Sequence, residues 1–377
     1  MLKFFNQLFT LLKIILAILF IGGTSYYMID KIQEKNNLMD IEEYSPKSTL
    51  IVEENLVKRA KYPFVDVHNH QFDMPVKNLD KLVAEMDQLN MSFMINLSGF
   101  RGLYLRKSLE NIRKNAPLRF GLFLNIDFED IDDVNFKQTQ VALIDSAAAE
   151  GVMGLKVYKS LGLTSRDSEG NRIAVNDPRL DPIWKACGDN HLPVLIHSGE
   201  PASFWHPKDK YNERWLELRQ KPNRYRDPET NPSFEEVLAE QHDIFRKHPN
   251  TIYINAHLGW MGNDLDRLGK HLDTYPNVMT EIGAVLAELG RQPKRARQFF
   301  IDYQDRILFG KDSYNLSEYY TYFRVLETED EYFDYYRKRH AHWKMYGLAL
   351  PDSILQKLYY KNALTLFPTI DKTLFKK

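Results

Sequence analysis

The apolar positions of this chain fall into two rhythms that alternate along most of its length. Short runs rich in β-branched and other apolar residues have the length of strands: "FVDV", "MSFMINL", "LRFGLFLNI", "VMGLKVY", "LPVLIH", "TIYINAH", "NVMTEI" and "RILFG". Between them, apolar residues recur three and four apart, as in "NLDKLVAEMDQLN", "FKQTQVALIDSAAAE", "SFEEVLAEQHDIFRKH" and "LDRLGKHLDTY", which predicts amphipathic helices. A last helical stretch, "PDSILQKLYYKNALTLF", follows the eighth strand. Eight strand–helix units in one run predict an α/β fold of the (β/α)8 TIM-barrel type over residues 61–377. A doubly wound sheet is the competing architecture, but no glycine fingerprint opens its first helix.

The N-terminus follows neither rhythm. "LFTLLKIILAILFIGGTSYYMI" is apolar throughout apart from Lys13, and it is long enough to cross a bilayer. Lys3 and Lys13 stand on its N-terminal side, and Tyr26 and Tyr27 stand where an aromatic belt would sit. Residues 1–30 therefore predict a transmembrane anchor with its basic end cytoplasmic and the rest of the chain outside. A cleaved signal peptide is the alternative, although "GGTSYYMID" offers no clear small-x-small cleavage site. Residues 31–60 are charged, lack apolar periodicity and read as a stalk. Two insertions, 198–232 and 313–350, interrupt the strand–helix alternation as loops that would roof a site.

Charge narrows the partners. With 27 % charged residues and a net charge of −1, no nucleic-acid surface is expected, which leaves a small-molecule substrate and the membrane. The one cysteine, Cys187, excludes an intrachain disulfide and a cysteine-built zinc site, and it reads as a small buried apolar side chain.

The chemistry collects at strand ends. In "YPFVDVHNH", His68 and His70 stand two apart at the close of the first strand, so their side chains point the same way. His197 closes the fifth strand, His257 the sixth and Asp312 the eighth, with Lys156 near the end of the fourth. A barrel places all of these on one rim. Imidazoles gathered without donors suit a cation, and nitrogen and oxygen ligands without thiolate suit zinc first, with manganese or iron as alternatives. Asp66 reads either as a partner supporting a ligand or as a strand residue facing the helices. His191, His242, His248 and His271 fall on helices or at helix ends, and His340 and His342 sit in a charged, tyrosine-rich stretch; all six read as ordinary surface or core histidines.

These strand-end motifs, with "GLKVYKSLGL", "NDPRLDPIW", "LPVLIHSGEPASFWHP", "AHLGW" and "NALTLFP", resemble the amidohydrolase superfamily, and within it the amidohydrolase-2 group, from Tyr62 to Pro368. The resemblance implies a divalent metal held by His68, His70, His197 and Asp312, one ion rather than two. It implies that His257 acts as base or electrophile and that Asp312 also moves the proton of the attacking water. Lys156 is implied as a substrate contact or, in two-metal members, as the bridge to a second ion. Two positions depart from the group's pattern: Lys311 precedes Asp312, and Glu281 follows the seventh strand. In the first insertion, Glu200, Trp205, His206 and Arg214 are candidate substrate contacts, and Lys159 and Arg166 after the fourth strand would suit an acidic substrate. The expected activity is hydrolysis of a C–N or C–O bond in an amide, lactone or ester. Non-oxidative decarboxylation on the same residues is one alternative, and a non-catalytic tethered binding protein is another.

Overall fold

The computed structural model describes residues 1–36, 39–339 and 343–376, so His340 and His342 lie outside the described residues. The chain forms two units, Met1–Ile51 and Val52–Lys377. The first holds helix α1 (Leu2–Asn36). Its segment Phe5–Ile32 has a mean hydropathy of 2.1, which is long and apolar enough to cross a membrane.

The second unit is a barrel. Strands β1 (Phe64–Asn69), β2 (Met91–Asn96), β3 (Phe120–Asn125) and β4 (Gly154–Val157) alternate with helices α2 (Leu79–Leu89), α3 (Gly102–Asn115) and α4 (Phe136–Ala149). Helix α5 (Asp181–Asp189) leads to β5 (Val194–Ile196). The first insertion then carries the short α6 (Trp215–Gln220) before α7 (Phe234–Lys247) and β6 (Tyr253–Asn255). Helix α8 (Leu265–Thr274), β7 (Val278–Glu281), α9 (Leu286–Gly290), α10 (Pro293–Asp302), β8 (Ile307–Leu308) and α11 (Leu316–Glu327) complete the circuit. The strands are parallel and each pairs with its sequence neighbour, in the order β1 to β8. Closure comes from the Val67 amide donating to the Phe309 carbonyl at 3.0 Å and the Asp312 amide donating to the His68 carbonyl at 2.6 Å.

Strands buried on both faces explain why the sequence runs are almost continuously apolar. Inward residues Val65, Val67, Ile95, Leu195, Ile254 and Leu308 fill the barrel, while a larger layer packs between strands and helices. The tyrosines of α11 belong to this packing: Tyr319 and Tyr322 are buried against Phe309. His242 and His271 meet between α7 and α8 with ring centroids 4.4 Å apart. Burial pushes their pKa values down to about 4 and about 3, so both are neutral packing side chains.

A cavity of about 990 Å³ lies at the N-terminal ends of the strands, between Pro117, Met153, Pro193, Ile252 and Asn277. That is the end opposite His68 and Asp312. Chemistry in such barrels belongs to the C-terminal end, so volume alone does not locate the site.

Candidate metal centre

Each polar group of the site sits where a strand runs out of partners. His68 is the fifth residue of β1 and His70 is one past its end. Asp312 adopts φ +82° just beyond β8 and forms an isolated parallel bridge with Asn69. Ligand-capable atoms of His68, His70 and Asp312 lie within 4.8 Å of one another. Asp312 Oδ1 is 3.6 Å from His68 Nε2 and 3.7 Å from His70 Nε2, and its side chain is 32 % exposed, so the group opens toward solvent.

The sixth strand end departs from the extended form that "TIYINAH" predicts. β6 stops at Asn255, and His257, Leu258, Gly259 and Trp260 all take left-handed conformations with φ between 55° and 58°. For residues with a Cβ this costs about 1–2 kcal/mol each. Gly259 is required in the turn because a Cβ there would collide with Asn255 Nδ2. The turn lays the His257 ring 4.4 Å from that of His197 and 4.9 Å from that of His68, with Trp260 behind it at 4.6 Å.

Glu281, at the end of β7, organises this turn. Its Oε1 accepts from the His257 amide at 2.6 Å and from His68 Nδ1 at 2.9 Å, and its Oε2 accepts from the Gly283 amide at 2.5 Å. A Cβ at Gly310 would collide with Glu281 Oε2 and lie 2.9 Å from His68 Cβ, so the glycine before Lys311 leaves room for the carboxylate. Asp66 takes a different part. It is fully buried, and it accepts from the His68 and Lys311 amides at 3.0 and 3.2 Å and from the Tyr319 hydroxyl at 2.6 Å, which staples β1 to the end of β8. Burial raises its pKa to about 6 against those hydrogen bonds.

The acceptors fix the tautomers. A carbonyl can only accept, so His257 Nδ1, 2.7 Å from Gly283 O, carries the proton and Nε2 keeps its lone pair. His197 Nδ1, 3.3 Å from that Nε2, is then the donor, which leaves His197 Nε2 with a free lone pair. By the same reasoning His68 donates from Nδ1 to Glu281 and keeps its lone pair on Nε2. His68 Nε2 and His197 Nε2 are both buried, with no hydrogen-bond partner among the described residues. Buried lone pairs without donors are costly in a protein alone and suited to a cation. His70 is oriented by Ser98 Oγ at 2.7 Å from its Nδ1.

The electrostatics agree with neutral ligands. Burial, then Lys156, holds His68 well below its usual pKa and His70 down to about 4; burial, then His257, holds His197 well below. Asp312 is held down to about 2: burial opposes this, and the neighbouring His68, His257 and His70 outweigh it. The residues present therefore fit a divalent ion with nitrogen and oxygen ligands. Lys156, on β4, is buried with its Nζ unpartnered among the described residues, and burial lowers its pKa to about 8.

The first insertion is arranged differently from the rim. Glu200 is buried and accepts from Lys159 at 2.6 Å and from Arg226 at 2.8 Å. Arg214 is enclosed by Glu217 at 2.9 Å and Glu288 at 2.7 Å. Trp205 donates to the Pro232 carbonyl at 2.8 Å, within its own loop, and packs on Phe234 at the start of α7. These three side chains hold the loop's shape. His206 lines a separate cavity of about 310 Å³ with Trp260 and Glu288. Glu281 was legible as a charge closing an apolar strand, the same signal that marks His197. Ser98 and Trp260 carried no such mark.

The amidohydrolase family model matches residues 60–369. No curated protein matches the chain. Among solved structures, dihydroxybenzoic acid decarboxylase from Polaromonas sp. JS666, with bound manganese and the inhibitor 2-nitroresorcinol, is similar at TM-score 0.52 and 12 % identity, over 84 % of this chain and 100 % of that one. 2,6-Dihydroxybenzoate decarboxylase from Rhizobium is similar at 0.50 and 14 %, over 81 % and 99 %. An amidohydrolase II is similar at 0.50 and 15 %, over 81 % and 99 %. At these identities the likeness is one of fold. The match over residues 60–369, on a closed eight-stranded parallel barrel, makes this chain a member of the amidohydrolase-2 family of metal-dependent enzymes.

Proposed function

We infer that the protein is a hydrolase that cleaves a C–N or C–O bond of a small amide, lactone or ester with water. The observation that carries this reading is the two buried, unpartnered lone pairs on His68 Nε2 and His197 Nε2, the first of them 3.6 Å from the partly exposed Asp312 carboxylate. His68, His70, His197 and Asp312 would hold the ion. A divalent ion at such ligands supplies Lewis acidity and lowers the pKa of water from 15.7 toward about 7. Glu281 keeps His68 in the tautomer that presents Nε2. Asp312, with its free oxygen toward solvent, accepts the proton released by the attacking water and returns it to the leaving group. His257, protonated at Nδ1, offers its Nε2 lone pair as a base toward the substrate; its contact to His197, at 3.3 Å, is long enough for a substrate to displace.

Hydrolysis in ¹⁸O-labelled water, across a panel of lactones, esters and amides, tests the reading. Expected is one ¹⁸O atom in the acid product per turnover. Carbon dioxide released from aromatic or enoic acids, with no label incorporated, would instead make the enzyme a lyase.

The N-terminal helix is part of the same proposal: Phe5–Ile32 anchors the enzyme in a membrane, since every apolar side chain described there is exposed in the isolated chain. The full-length protein should stay with membranes on alkaline extraction. Mature protein whose mass lacks this segment would make it a signal sequence.

A further inference from the structure

Three buried polar atoms around one cavity take no part in the metal cluster. The cavity of about 310 Å³ that His206 lines lies where the loops after β5, β6 and β7 come together. Each loop sends it one buried polar side chain: Ser203 from the turn Ala202–Phe204, Trp260 from the end of the left-handed turn, and Glu288 from α9. They are only 5 %, 9 % and 8 % exposed, so bulk water does not satisfy them. Ser203 Oγ, Trp260 Nε1 and Glu288 Oε2 have no hydrogen-bond partner among the described residues. Groups left like this are costly, and three around one space describe a ligand.

The cavity is separate from the catalytic opening. None of His68, His70, His197, His257, Asp312 or Lys156 lines it. Trp260 touches both, since its ring lies 4.6 Å from that of His257 and 5.5 Å from that of His197. Much of the remaining wall is carbon, from Pro201, Ala202 and Val285, and the exposed Tyr211 brings the cavity to the surface. Apolar walls with a few convergent polar groups are the anatomy of a small-molecule site, and this volume stands at the small end of that class.

Charge and valence define the head group. Both acids on the wall already have cations: Glu288 Oε1 accepts from Arg214 at 2.7 Å, and Glu213 accepts from Arg291 at 3.0 Å. A carboxylate ligand would meet Glu288, and an ammonium would sit beside the buried Arg214, so the head group is neutral. Glu288 Oε2 can only accept, the Trp260 indole can only donate, and the Ser203 hydroxyl does both. The ligand must therefore bring two donors and two acceptors to these three atoms. A primary carboxamide carries two N–H groups and two carbonyl lone pairs, whereas an alcohol falls one donor short.

We propose that this cavity is a second ligand site, which binds a small molecule through a primary carboxamide. Its N–H groups donate to Glu288 Oε2, its carbonyl oxygen accepts from Trp260 Nε1, and Ser203 Oγ bonds to either end. The proposal is independent of the hydrolase reading, because no residue that would hold the ion or act on the substrate lines the cavity.

Saturation-transfer NMR on the full-length, metal-loaded protein in detergent tests it with propionamide, N,N-dimethylpropionamide, 1-propanol, propionate and propylammonium. Propionamide should bind with a Kd of about 1–10 mM, the range open to so small a ligand. The other four should bind at least about tenfold more weakly, the worth of one unmatched buried hydrogen bond. Glu288→Gln can present an N–H where the carboxylate accepted, so it should weaken propionamide about tenfold and bring the dimethyl compound level with it. Ser203→Ala should weaken propionamide about threefold to tenfold, and it leaves the Arg214 pair intact, so it reports even if Glu288→Gln fails to fold. The His68→Ala/His70→Ala protein should bind propionamide unchanged, which separates this cavity from an amide seated at the barrel mouth. Binding lost in that protein overturns the proposal, and so does unchanged affinity in Ser203→Ala. Equal binding of 1-propanol overturns the carboxamide, and no binding below about 50 mM leaves the cavity to water. Absence of ¹⁸O incorporation removes the hydrolase reading without touching any of these results.

Discussion

Protein carrying His68→Ala and His70→Ala together is expected to lose its divalent metal and its activity in one step. The two imidazoles come from one strand end, and their Nε2 atoms are the ones within 3.7 Å of Asp312. Losing one outer partner of a ligand typically weakens metal binding about 10–100-fold, and removing two ligands outright should exceed about 100-fold. Turnover should fall by at least about 10³-fold, since water at neutral pH is then no longer activated. Fold stability should change much less in a barrel closed by backbone bonds that these side chains do not make. Elemental analysis of chelator-free preparations, set beside their thermal unfolding, checks both halves. Equal metal in the variant and the unaltered protein would mean that the cluster is not the metal site.

His257→Asn is the sharper experiment. If His257 handles substrate and does not hold the ion, the variant should keep its metal and lose about 10²–10⁴-fold in kcat, the usual worth of a positioned acid or base. The structure gives the alternative its own signature. His257 Nε2 is 3.3 Å from His197 Nδ1, so a ring that mainly supports His197 would on removal weaken metal binding along with kcat. Loss of metal as complete as in His197→Ala would make His257 a ligand and move the protein to the two-ion class.

The barrel was readable because its strands are short, apolar and ended by polar residues, and that pattern survives in single sequence. The rim residues could be found because strand order alone brings β1, β5, β6 and β8 to one mouth. What period and strand order do not carry is backbone hand: nothing in "AHLGW" beyond its glycine announces four left-handed residues. Nor do they carry the partners of charges in long loops. Arg214 finds Glu288, and Glu200 finds Arg226, only once the 198–232 segment is folded over the barrel. Glu281 stood out in sequence as an unexpected charge, and its meaning came from three donors that converge on it from the ends of β1, β6 and β7.

The left-handed turn from His257 to Trp260 has a further consequence. Three of its four residues carry a Cβ, so on the order of 3–6 kcal/mol of conformational strain is stored there, a large share of a typical domain's net stability. Glu281's hydrogen bond to the His257 amide keeps the turn from relaxing. If His257 handles substrate, durability and activity pull in opposite directions at this loop. Selection for heat resistance that eased the β6 end into an ordinary extended strand would raise the melting temperature while swinging the imidazole away from its neighbours. Thermostable versions of this enzyme must gain their margin elsewhere, in the helices or the barrel floor, and keep this turn strained.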